Sequence, residues 1–108
     1  MNNTTQFIIV LITTPDIKTA KKISSCLLDS RIIACSNIIK AIDSIFWWKG
    51  KKETSKETLL IVKTKRSSFK KLAKLVKEAH PYDVPEIIAL PIIAGHKPYL
   101  DWIHEEVD

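Results

Sequence analysis

The sequence predicts an α+β sandwich of order βαββαβ with an added C-terminal helix, the split βαβ or ferredoxin-like plan. Three observations predict it. Two stretches with helical apolar spacing alternate with apolar runs too short for helices. A long β-branched segment, Arg31 to Trp48, returns through Lys49-Gly50 as a hairpin. The twelve residues from His80 to Pro91, HPYDVPEIIALP, hold polar groups in a proline-stiffened loop that leads into an apolar run.

The 108 residues are expected to form one domain, 1–108, small enough to gain from oligomerisation. MNNTTQ has no basic residue before Phe7, and the run Phe7–Ile12 is six residues long. That is neither a signal peptide nor a membrane span, so a cytoplasmic protein with no membrane partner is expected. The net charge is +5, and from Lys40 to Lys77 twelve Lys or Arg face only Asp43, Glu53 and Glu57. Fifteen of the seventeen cations are lysines on helix faces or the hairpin, a pattern of solvated surface more than of an anionic partner. Two cysteines cannot form a disulfide framework; Cys26 and Cys35 are expected as reduced, buried thiols.

Phe7–Thr14 lacks alternation and is expected as a strand covered on both faces. Pro15 and Asp16 open a helix, with Asp16 as cap, whose apolar face is Ile17, Ala20, Ile23, Leu27 and Leu28. Arg31 to Trp48 is too long for one ordinary strand and is expected to bend or bulge midway. Its return arm is polar over Lys51–Thr58 and apolar over Leu59–Val62. Ser67 or Ser68 caps the second helix, built on Phe69, Leu72, Leu75, Val76 and Ala79. Pro81 biases His80 out of the helical region and ends that helix. Glu86 opens a fourth, buried strand, and Pro91 marks a strand end or an edge. Pro98 suits the first turn of a short closing helix with Tyr99, Leu100, Ile103 and Val107.

The hairpin extends beyond what two short helices can cover, and its long edge offers unpaired backbone groups. Pairing of identical chains through Arg31–Arg66 is therefore expected, with Phe46, Trp47 and Trp48 at the tip. Catalysis has little support. Only Gly50 and Gly95 are present, too few for a glycine-rich phosphate cradle. No Ser, His and acid arrangement is signalled, and Cys35, in an apolar strand without a nearby cation, is expected to stay a thiol. The third strand, LLIVKTKR, carries no stacking aromatics, which argues against nucleic-acid binding.

Five segments then line up with a known family: RIIACSNI (31–38), WKGK (48–51), KT (63–64), HPYDVPEIIALP (80–91) and YLDW (99–102). In this order and spacing the chain resembles the CutA family of divalent-cation-tolerance proteins. The resemblance implies a homotrimer similar in assembly to PII-type signalling proteins, without established catalysis. It implies copper tolerance and a cleft between subunits, for which the matching residues are Cys35, Trp48, Lys63, Tyr82, Glu86, Tyr99 and Trp102. In the copper-binding bacterial pattern a cysteine near the end of the first strand joins two adjacent histidines. Here those positions read Ile12 and Ala79-His80, so His80 is the sole metal candidate, and copper or another divalent cation is expected to bind only weakly. The structural alternative for His80 is a helix cap or a hydrogen-bonded loop residue. Glu86 could join His80 and Tyr82 in a ligand set or pair with Lys63. His96 and His104 are expected at the surface. The second functional reading is a PII-like sensor or scaffold that binds a small anion or a protein in the cleft.

Overall fold

In the computed structural model of the chain, residues 6–108 are described; residues 1–5, within the stretch expected to carry no leader, lie outside them. The elements are β1 (Phe7–Thr14), α1 (Ile17–Asp29), β2 (Cys35–Trp48), β3 (Lys51–Lys65), α2 (Phe69–Ala79), β4 (Ile87–Pro91) and α3 (Lys97–Glu106). One antiparallel sheet runs in the order β2-β3-β1-β4. The α+β plan and the closing helix are as the sequence predicts.

Why α1 starts where it does is visible in its cap. Asp16 is extended, and its Oδ1 accepts the Thr19 backbone N–H at 2.7 Å. This hydrogen bond, followed by the charge of Lys18, holds the Asp16 carboxyl below its usual range. Because the folded value is depressed, the stabilisation is present above the unfolded carboxylate pKa and disappears as pH falls through the folded one. Thermal melts between pH 5 and 2 should therefore show Asp16→Asn, which keeps a capping oxygen, losing less stability on acidification than wild type. Equal slopes would show that the charge contributes nothing. At α2 neither serine caps through its side chain: Arg66–Ser68 form a 3₁₀ turn that leads into the helix.

The core lies between the two helices and one sheet face. Ile8, Val10 and Ile12 of β1 and Leu60 and Val62 of β3 meet Ala20, Ile23 and Leu27 of α1 and Leu72 and Val76 of α2. This corrects the expectation for β1. Its burial alternates, because helices cover one face while Phe7, Ile9 and Leu11 on the other remain half-buried. The fourth strand is likewise not buried: β4 is an edge, with Ile88 and Leu90 exposed. The second strand begins at Cys35, not Arg31. Arg31 has a positive φ of 57°, and Ile33 turns into the core before the sheet is entered.

The hairpin carries the expected irregularity. Its register shifts between Ile39 and Ile42, with Ala41 at φ 57°, a bulge that bends the strand. Lys49 (φ 50°) and Gly50 (φ 79°) form the two-residue turn, and Trp48 faces Lys51. Positive φ at both positions matches the right-handed strand twist, and glycine meets it at no steric cost. Beyond the bulge the arms leave the helices behind; Ile45 and Trp47 are 66% and 74% exposed.

Candidate ligand-binding cleft

Pro81 stops α2 by holding His80 extended (φ −91°, ψ 136°), and the loop that follows folds back against β1 and β3. His80 is buried. Its Nε2 lies 2.7 Å from the Thr13 carbonyl, and its Nδ1 accepts the Tyr82 backbone N–H at 3.1 Å. A carbonyl only accepts, so Nε2 carries the proton and the ring is the neutral Nε2–H tautomer. The His80 and Tyr82 rings pack at 4.7 Å, and the Tyr82 hydroxyl donates to Glu57 Oε2 at 2.8 Å. A short polar chain thus ties β1, the loop and β3 together.

Tyr82 is pushed up to about 12, first by burial and then by its hydrogen bond to Glu57 and that carboxylate's charge. It therefore stays a donor at all physiological pH. A folded value above the unfolded 10.0 means the contribution is complete below pH 10 and is lost as pH rises towards about 12. Alkaline unfolding in that window should be steeper for wild type than for Tyr82→Phe. Parallel curves would show that Tyr82 ionises as freely in the fold as outside it.

Around this chain opens a cleft of about 740 Å³, walled by Phe46, Trp48, Glu57, Tyr82, Val84 and Glu86. Its size is that of a small-molecule site. The bulge and the loop make it: the first bends the hairpin arm, and the second brings Tyr82 and Glu86 up to that arm.

Three of the expected cleft residues, Trp48, Tyr82 and Glu86, meet here. The other four do not. Cys35 and Lys63 are cross-strand partners, on the order of 40 Å of extended strand from Trp48. The Lys63 ammonium donates to Asn37 Oδ1, which lies 4.0 Å from Cys35 Sγ. Tyr99 is raised by burial and then by Cys35, and its ring packs on Trp102 at 5.5 Å. Three expectations change here. Both cysteines are half-buried, not buried, and Cys35 has a lysine on the neighbouring strand. Glu86 does not pair with Lys63. The register sets Ile87 beside Ile12 and Lys63 beside Ile9, which separates the two by roughly 13 Å along the strands.

The residues do not fit a tightly held transition metal. Ile12 and Ala79 have no donor atoms, and both His80 nitrogens are engaged with backbone groups. Among the described residues, no group of three or more His, Cys, Asp or Glu is placed to hold a metal ion. His96 and His104 are exposed, and the Gln6 amide lies 3.1 Å from His104 Nδ1.

Sequence reasoning missed Glu57. A carboxylate at the point where the return arm turns apolar was the available signal; in the fold it is only 7% exposed. Its partner Tyr82 lies 25 residues away, so no local pattern could join them.

Comparison with known proteins adds to this geometry. The family model described as CutA1 divalent ion tolerance protein matches residues 8–106. The Divalent-cation tolerance protein CutA of Thermus thermophilus is 46% identical over 97 residues, covering 90% of this chain and 94% of that protein. Protein CutA 1, chloroplastic, of Oryza sativa is 41% identical over 102 residues, covering 94% of this chain; the chain spans 58% of that relative's length. The solved structure of the Thermus thermophilus protein superposes with a TM-score of 0.93 at 44% identity, covering 94% of this chain and 99% of that one.

Proposed function

The chain belongs to the CutA1 divalent ion tolerance protein family, and from that premise we propose that it acts in the cytoplasm as a homotrimer without catalysis, binding its ligand in a cleft between subunits. One observation carries this. Trp48, Tyr82 and Glu86 stand at one end of the hairpin and Cys35, Lys63, Tyr99 and Trp102 at the other, so one chain cannot unite them. A head-to-tail ring, in which the same two unlike surfaces meet at every interface, would place one group against the other of the next subunit. The exposed apolar residues of the tip and of β4 agree with such an interface. Among the described residues, no helix is long and apolar enough to cross a membrane.

Metal tolerance in this reading does not depend on tight metal capture, since His80 is the one inherited donor and is already hydrogen-bonded. Sedimentation equilibrium at micromolar concentration should give three times the chain mass. Calorimetry with Cu(II) and Zn(II) should give dissociation constants weaker than micromolar. A stable monomer would overturn the assembly. Submicromolar copper binding that disappears in His80→Ala would overturn the weak-metal reading.

A further inference from the structure

Along the sequence the lysines read as scattered surface; the fold gathers a set of them. α1 carries Lys18, Lys21 and Lys22 against Asp29, and α2 carries Lys70, Lys71, Lys74 and Lys77 against Glu78. These two helices hold the whole net charge of +5, because the other ten cations are matched in number by ten carboxylates. The helices lie side by side on one face of the sheet, with Ala20, Ile23, Leu27, Leu72 and Val76 turned into the core. All seven lysines are exposed on the outer side. Among the described residues, none of the seven is in an ion pair.

These charges are not placed for the stability of the helices. Lys18, Lys70 and Lys71 stand in first turns that hold no acid of their own, where the helix dipole favours anions. Lys18 and Lys22 repel across one turn of α1, as do Lys70 and Lys74 across one turn of α2. A polyanion laid over both helices relieves that repulsion.

Which polyanion follows from what the face lacks. The apolar sides of both helices are buried in the core, so neither can sink into a bilayer, and charge alone is one of the two signals that stable membrane anchoring takes. No aromatic ring is exposed on either helix, and neither contains arginine. Bases are therefore neither stacked nor read through a bidentate fork. What remains suits a backbone. The 13 residues of α1 span about 20 Å, and a duplex presents about one negative charge per 1.7 Å of its axis. Phosphate contact by itself is sufficient for sequence-independent binding.

We infer that the outer face of α1 and α2 docks on the phosphate backbone of a nucleic-acid duplex without reading its sequence. The lack of stacking aromatics on β3 bears on base recognition and not on this contact. The face shares no residue with the cleft, and the proposed assembly, through the hairpin tip and β4, does not use it.

Fluorescence anisotropy of a labelled DNA duplex of about 20 base pairs, titrated with the full chain, tests it. Two unrelated sequences should bind within about twofold of each other, and affinity should fall at least about tenfold between roughly 50 and 200 mM salt. Lys70→Gln/Lys74→Gln/Lys77→Gln should weaken binding about tenfold or more and make the log-log salt slope shallower by about 2–3, near one per lost contact. Because it removes like-charge pairs, this variant should melt no lower than wild type. Lys18→Gln/Lys21→Gln/Lys22→Gln should act alike, so a folding failure in one helix leaves the other as the test. Lys40→Gln/Lys51→Gln/Lys52→Gln removes the same charge from the hairpin and should keep affinity within about threefold of wild type, since exposed charges beyond a Debye length are screened. Equal losses in the helix and hairpin variants would show that net charge alone acts and would overturn the inference, as would an unchanged anisotropy at the lowest salt. Co-sedimentation with vesicles of phosphatidylserine and phosphatidylcholine in the same buffers is the other arm: tighter capture by vesicles than by the duplex would assign the face to a membrane instead.

Discussion

Leu60→Ala should destabilise the folded chain by about 2–5 kcal/mol. Leu60 is fully buried at the centre of β3, opposite Ile12 on one neighbour and Ile38 on the other. Its side chain enters the layer held by Ile23, Leu27, Leu72 and Val76, and rigid strands on both sides limit collapse into the void. Small proteins have a total stability of about 5–15 kcal/mol, so the change takes a large share of it. Urea melts should show a lower midpoint with an unchanged slope. A loss below about 1 kcal/mol would mean that the helices close the cavity. Assembly could mask part of the effect, so the melts belong at several protein concentrations.

Trp48→Ala should act on association more than on the fold of one chain, weakening assembly by about 2 kcal/mol or more, the scale of an interface hot spot. Within the chain Trp48 is 44% exposed, so truncation removes little internal packing. Its ring stands at the uncovered end of the hairpin beside Phe46 and Trp47, where the helices no longer reach. Sedimentation across a dilution series should show dissociation at concentrations where wild type stays assembled. Retention of the wild-type assembly at all concentrations would show that the tip faces solvent in the oligomer. The neighbouring Trp47→Ala offers a comparison, since its ring is the more exposed of the two.

The element order, the Asp16 cap, the Lys49-Gly50 turn, the mid-strand bulge and the break at His80-Pro81 were legible in the sequence. Each depends on a preference carried by one to a few adjacent residues: a side-chain acceptor at a helix start, positive φ at glycine, a proline restricting its predecessor. The family was legible too, because its segments are contiguous. What covers each face was not. Phe7–Thr14 reads as apolar on both sides, and only the packed sheet decides that Ile8, Val10 and Ile12 meet the helices while Phe7, Ile9 and Leu11 do not. Burial is a property of partners, and periodicity records only that some partner is wanted; β4, apolar but an exposed edge in the chain by itself, makes the same point. The site divides likewise. The sequence determined which residue types are available in HPYDVPEI, and tertiary structure decided that Tyr82 meets Glu57 from β3, that both His80 nitrogens are occupied, and that Lys63 stands far from Glu86. Those outcomes depend on strand register, which the long-range pairing of β1 with β3 and β4 sets and which no local stretch of residues encodes.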